Sequence, residues 1–284
     1  MSNLIANDLC IAFKAISART WNSMHKNFIT PIQKREDAFT SDNLQDLYLM
    51  NSDFFRVFDF SPHVESSTTG ADWEMWFVDS DGKCFGFAVQ AKKLSKDLDY
   101  EIGYVPNNGY PQIDRLFDYC RQTNDLTPLY CFYNYFDKVN STCVWPCKSY
   151  PEDETLWGCA ISHGVKIKNL NNLRRNTIND ILPVSFPWHC LVCCPGINRN
   201  GLGTYSDRAA GFADLLKTMG DENEKRIENN SDFENPKIQD SLPKRIQVLL
   251  DYDNGIIPKQ MVDEIWGKLK PKQIMIIYEN KASR

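Results

Sequence analysis

The sequence predicts a mixed α/β fold, with a mixed β-sheet flanked by helices and a helical C-terminal extension. Three observations predict it. Apolar, strand-like runs alternate with stretches of helical spacing along the chain. Two runs of alternating residues flank Ser80-Asp81-Gly82 and read as a β-hairpin. The 284 residues, 42% hydrophobic and 24% charged, suit a globular chain with one large core or a core plus an appendage.

Taken in order, Leu4, Ile5, Leu9, Ile11, Ala12, Ala15, Ile16 and Trp21 form an apolar helical face within an N-terminal helical segment, 1–30, that Pro31 ends. The core is expected over 31–200. Thr40-Ser41-Asp42 is suited to cap a helix over 43–50, and Phe54–Phe60 reads as a strand entering the core. Ile113, Leu116, Phe117 and Cys120 fall at helical spacing within 110–122. The run 129–136, LYCFYNYF, reads as a central strand. A helix broken near Gly164 is expected over 155–168, and a second apolar strand over 183–195. The remaining residues, 201–284, form the extension. Asp207 is expected to cap a helix ending near Gly220, helices are expected over 244–252 and 259–269, and a last strand over 273–278. Within it, 221–241 is charged and nearly free of aliphatic bulk, which predicts a mobile insertion.

The hairpin places chemistry on one face. Side chains alternate along a strand, so Asp72 and Glu74 share a face, as do Gln90 and Lys92. A two-residue turn would set Asp72 opposite Ala91, on the wrong side from Gln90. A three-residue loop, Ser80-Asp81-Gly82, sets Asp72 opposite Gln90 and Glu74 opposite Ala88. Such a loop needs a left-handed third residue, the conformation that costs glycine least, and Gly82 stands there. Carboxylate, amide and ammonium groups then converge.

The phrases GADWEMWF and VQAKKL, carrying Asp72, Gln90 and Lys92, resemble the PD-(D/E)XK nuclease superfamily in its Gln-x-Lys variant, as in Mrr-type restriction enzymes. They also resemble a family of largely uncharacterised bacterial proteins with a GADWEWW…QAKR signature, often suspected in phage defence. The likeness covers about residues 30–200, and the motif block is its most specific part. It implies a restriction-endonuclease-like core and a divalent-metal-dependent endonuclease using Mg²⁺ or Mn²⁺, with DNA ahead of RNA as substrate. In such a site Asp72 is the central metal ligand, the backbone carbonyl of Ala91 and the amide oxygen of Gln90 add to it, and Lys92 serves the attacking water or the phosphate. Gln90 lacks the charge of the usual acid, so an auxiliary carboxylate is expected: Glu74 first on geometry, then Glu65 and Glu36. A catalytically silent nuclease-like module that binds nucleic acid or a partner protein is the alternative.

The formal net charge is −5. A nucleic-acid enzyme neutralises phosphates, so its basic surface here must be local. Lys92, Lys93 and Lys96 supply one cluster, with Lys93 and Lys96 the expected nucleic-acid contacts. Lys166, Lys168, Arg174 and Arg175 supply a second. The acidic total also points to a partner or sensor protein that recruits or activates the chain. No run approaches the roughly 18 apolar residues of a membrane span, and the first residues carry neither a basic start nor a small-residue cleavage site. A cytoplasmic chain without a membrane partner is expected, and with it reduced thiols for its ten cysteines. Cys143, Cys147, Cys159 and His163 have a spacing that could close a zinc site, although the apolar surroundings of Cys159 read as core. His189, Cys190, Cys193 and Cys194 fall in WHCLVCC; as a strand, that run points neighbours to opposite faces and makes a poor ligand set.

Overall fold

The computed structural model describes residues 2–50, 54–60, 68–106, 109–137, 145–147, 149–194, 203–219, 233–267 and 271–279. In chain order the elements are α1 (Ser2–Ile29), α2 (Glu36–Met50), β1 (Phe55–Asp59), β2 (Trp73–Val78), β3 (Cys84–Lys93), α3 (Gln112–Thr123) and β4 (Leu126–Tyr133). A short turn of helix, Glu154–Gly158, leads into β5 (Cys159–His163) and α4 (Gly164–Asn172). Then come α5 (Ile178–Ile181), β6 (Phe186–Pro187), α6 (Cys190–Cys193), α7 (Tyr205–Thr218), α8 (Lys244–Asp253), α9 (Lys259–Trp266) and β7 (Gln273–Tyr278). The fold is mixed α/β: a seven-stranded mixed sheet flanked by helices, with a largely helical C-terminal part.

The sheet runs β1-β7-β2-β3-β4-β5-β6. The β2–β3 and β4–β5 pairs are antiparallel, while β2–β7 and β3–β4 are parallel. In the hairpin, Trp73 pairs with Val89, Glu74 with Ala88 and Val78 with Cys84. The Asp79 amide then bonds the Lys83 carbonyl at 2.8 Å, which leaves Ser80-Asp81-Gly82 as the three-residue loop; Gly82 has φ +95°. Gly86 lies opposite Trp76, and a Cβ there would fall 2.7 Å from the indole ring, so the ring packs directly on the backbone.

Strand parity sorts the layers. On the face of Glu74, Gln90 and Lys92, α3 brings Tyr119 and Gln112, and α8 brings Arg245. On the opposite face α2 packs Phe39 on Tyr133, and α7 packs Phe212 on Phe186. The central strands β2, β3 and β4 are almost wholly buried on both faces, which explains their near-continuous apolar runs.

Several expectations are corrected. Helix α2 begins at Glu36, so Thr40-Ser41-Asp42 sit inside it, and the Thr40 hydroxyl bonds back to the Glu36 carbonyl at 3.3 Å. The segment expected to be helical over 155–168 is β5 followed by α4. Buried Cys159–His163 adds a strand beside β4, and the His163 side chain accepts from the Val165 amide to start the helix. The second apolar strand shrinks to Phe186–Pro187, because Trp188 turns away to donate its indole N–H to the Phe13 carbonyl at 2.8 Å. Thr204, not Asp207, caps α7; Asp207 is the reciprocal partner three residues on. The segment 201–284 is no separate appendage, since β7 lies between β1 and β2.

The insertion expected to be mobile over 221–241 falls partly outside the described residues. Its described stretch is anchored: Phe233 is buried edge-on against Phe117, and Gln239 pairs with Cys84 at the start of β3. Phe233 and Ile238 supply the apolar contacts that the charged composition masks.

Candidate functional site

At one end of the sheet β1 finishes, β2 and β7 begin, and β3 runs on past them to Lys93. The start of α2 closes this end. A cleft of about 390 Å³ lies there, lined by Asp37, Thr40, Ser41, Asp59, Asp72 and Lys272 among others. Three carboxylates therefore border one opening, and Asp72 is the most deeply set, at 6% exposure.

The paired register begins with Trp73 opposite Val89 and Glu74 opposite Ala88, as the three-residue loop predicts, and Asp72 lies one residue ahead of it. The Asp72 backbone amide donates to the Val89 carbonyl at 2.8 Å, and its Oδ2 accepts from the Ala91 amide at 2.8 Å. Lys272 Nζ stands 3.8 Å from Oδ1. Burial raises the Asp72 carboxyl above the usual carboxylate range, with Lys272 and the Ala91 amide opposing it.

Gln90 is fully buried, and neither its Oε1 nor its Nε2 has a hydrogen-bond partner among the described residues. Tyr130, its register partner on β4, has an equally unpartnered hydroxyl. Buried amides are nearly always bonded, so this pair of orphans is exceptional. Lys92 Nζ donates to Gln112 Oε1 at 3.0 Å and lies 3.8 Å from Glu36 Oε1. Glu36 Oε2 accepts from the Lys93 amide at 3.3 Å. Burial also raises Glu36, with Lys92 opposing and the nearby Asp72 charge adding to the rise.

Glu74, Gln90 and Lys92 project from one face, while Asp72, just ahead of β2, reaches the Ala91 backbone amide, and the four do not meet at one point. The Glu74 carboxylate is enclosed deeper in the layer, where it accepts from the Tyr119 hydroxyl, from Trp76 Nε1 at 2.7 Å and from Arg245 Nη2 at 3.3 Å. Arg245 also pairs with Asp125. Glu36, ranked last from sequence, is the carboxylate beside Lys92. Glu65 lies outside the described residues.

Sequence reasoning missed Asp37, Asp59 and Lys272. Asp37 follows Glu36 directly, but its place at the cleft depends on how α2 docks. Asp59 and Lys272 reach the cleft only because β1 and β7 are neighbours across more than 200 residues of chain.

Among the expected nucleic-acid contacts, Lys96 is exposed and Lys93 half-buried; their ammonium groups bond the carbonyls of Thr30 and Lys34. The second basic cluster is largely taken up by acids: Lys168 pairs with Asp114 at 2.7 Å and Arg175 with Asp180 at 2.8 Å. Lys166 is buried, not part of a surface.

The cysteines depart from their expected roles. Cys10 and Cys193 are joined as a disulfide, contrary to reduced thiols throughout; α1 and α6 bring together residues 183 apart in sequence. Cys143 lies outside the described residues. Cys159 accepts from the Asn43 amide, and His163 bonds Asn235 at 2.8 Å, so neither joins Cys147.

No helix among the described residues is long and apolar enough to cross a membrane. No curated protein matches the chain. Residues 9–283 match a family of unknown function, DUF6615, and the chain belongs to that family.

Proposed function

We propose that the chain is a divalent-metal-dependent nuclease that hydrolyses phosphodiester bonds of nucleic acid, DNA ahead of RNA. The observation that carries this reading is the buried Gln90 amide, unbonded beside Ala91, whose backbone amide holds the Asp72 carboxylate. The donors are the hard oxygens such a cation takes: Asp72 lines an acidic cleft, and Gln90 and Ala91 lie on the strand that holds it. Asp72 and Glu36 would supply charged ligands, Gln90 Oε1 a neutral one, and the Ala91 carbonyl a further oxygen. Bound Mg²⁺ or Mn²⁺ would polarise the phosphate and make the attacking water more acidic.

The remaining work falls to the chain. Lys92, held between Glu36 and Gln112, is placed to orient the water or to meet negative charge developing on the phosphate. The Ala91 amide fixes one Asp72 oxygen and leaves the other toward Lys272 and the cleft. Lys93 and Lys96 offer a local contact for the phosphate backbone on an otherwise acidic chain. Glu74 acts as a positioning group under the hairpin.

A second reading draws on the net charge of −5 and on the ion pairs that use up Lys168 and Arg175. In it the core is a silent module that binds nucleic acid or a partner protein. A role as a phage-defence effector recruited by such a partner is compatible with either reading. Plasmid DNA and total RNA incubated with Mg²⁺ or Mn²⁺ separate the two. Cleavage by the wild type and none by Asp72→Asn supports the nuclease; no cleavage with any metal supports the module.

A further inference from the structure

A second constellation lies away from the cleft, where α6 meets α1. The run WHCLVCC is a helical turn here rather than a strand, and that reverses its ligand geometry. Cys190 opens the turn and Cys194 caps its end, the Cys194 amide bonding the Cys190 carbonyl at 3.3 Å, and the two thiols stand on one side. The third thiol, Cys147, arrives from the segment at 145–147 and lies 3.3 Å from Cys194 in Sγ–Sγ distance. All three sulfur atoms lie within 4.8 Å of one another, and all three residues are buried. Tetrahedral zinc–thiolate sites place sulfur atoms about 3.8 Å apart, given Zn–S bonds of about 2.3 Å.

A fourth donor stands next to them. His189 Nε2 is 3.7 Å from Cys190 Sγ. The ring is fully buried, stacked on Trp145 and met edge-on by Tyr150, and its Nδ1 has no partner among the described residues. With the proton on Nδ1, the Nε2 lone pair is left for an ion. Lys14 lies over the Tyr150 ring at 3.1 Å and is close enough for all three thiols to act on its charge.

We infer that Cys147, Cys190, Cys194 and His189 form a structural zinc site. Three thiolates and one Zn²⁺ sum to a single negative charge, which Lys14 faces. Binding releases the thiol protons to solvent. All four donors come from the protein and are buried, so no position is left open for substrate. The ion would tie the 145–147 segment to α6, next to the Cys10–Cys193 link between α6 and α1. The competing arrangement, a Cys147–Cys194 disulfide, would leave Cys190 and His189 buried without a use.

The test is the metal content of the full chain, expressed and purified without chelator and measured by inductively coupled plasma mass spectrometry. About one zinc per chain is expected, falling to near zero in Cys190→Ser and Cys194→Ser and unchanged in Cys84→Ala, which alters a buried thiol elsewhere. Because the serine variants could fail to fold, the wild type is also stripped and loaded with Co²⁺. Thiolate-to-cobalt charge transfer with tetrahedral visible bands supports the site. Wild-type protein that carries no zinc and shows no such spectrum overturns it. So does non-reducing peptide mapping that finds Cys147 and Cys194 joined in most molecules.

Discussion

The Asp72 carboxylate accepts from the backbone amide next to Gln90, while the Gln90 side-chain amide itself has no partner among the described residues. An amide buried without partners destabilises a fold, by about 1–3 kcal/mol in mutational series. Its retention next to a bonded carboxylate is best explained by a ligand that completes it. Gln90→Leu keeps the volume and removes both orphans. The metal-free variant is expected to be at least as stable as wild type in urea, by up to about 2 kcal/mol. It should also lose the Mg²⁺-induced rise in melting temperature. A variant that is clearly less stable without metal would show that the amide has protein partners after all.

Acidity gives a second prediction. Burial raises Asp72, Glu36 and Glu74 in the folded chain. Above the ordinary carboxylate range the unfolded chain has released these protons while the folded chain still holds them. The folded state then binds more protons, so metal-free stability falls as pH rises through that window toward the raised values. Metal binding requires the ionised forms of Asp72 and Glu36, so the Mg²⁺-induced stabilisation should grow over the same window. Thermal melts across pH, with and without Mg²⁺, check both slopes. Asp72→Asn should flatten both.

The two glutamates should separate cleanly. Glu74 is fully enclosed by Tyr119, Trp76 and Arg245, and removing one member of a buried ion pair typically costs about 3–5 kcal/mol. Glu74→Ala should therefore lower urea stability by that order. Glu36 keeps 30% of its side chain exposed, and Glu36→Ala should change stability little while removing metal-dependent cleavage. Denaturant midpoints alongside cleavage rates measure the contrast. Stable Glu74→Ala protein that has lost only metal binding would restore Glu74 as the auxiliary ligand.

What the sequence made legible was local. The pairing of Glu74 with Ala88 followed from one loop length and from Gly82, because strand parity is strict and a one-residue change reverses it. The helices α1 and α3 followed from periodicity. What stayed hidden depended on docking. Glu36 and Glu74 look alike along the chain; the placement of α2 and α8 sends one to Lys92 and the other into an ion-pair network. Lys272 and Asp59 needed the long-range pairing of β1 with β7. The cysteines of WHCLVCC were misjudged because a short apolar run does not separate strand from helical turn. The period of that turn decides which thiols converge.

Lys92 offers the sharpest test of the cleft as a catalytic site. Its side chain is 4% exposed, with the ammonium bonded to Gln112 and close to Glu36, and it shares the face of Gln90. It is a poor metal ligand when charged, so its removal should leave ion binding in place. Lys92→Ala is expected to keep the Mg²⁺-induced rise in melting temperature while cleavage falls about a hundred- to a thousand-fold, the usual loss when one charge-stabilising donor is deleted. Lys93→Ala and Lys96→Ala should act differently, weakening nucleic-acid binding across sequences and flattening its salt dependence, because phosphate contacts release counterions. Single-turnover cleavage, metal-dependent melting and binding at several salt concentrations distinguish these outcomes. If Lys92→Ala cleaves at the wild-type rate, the ammonium belongs to the fold and the chemistry lies elsewhere.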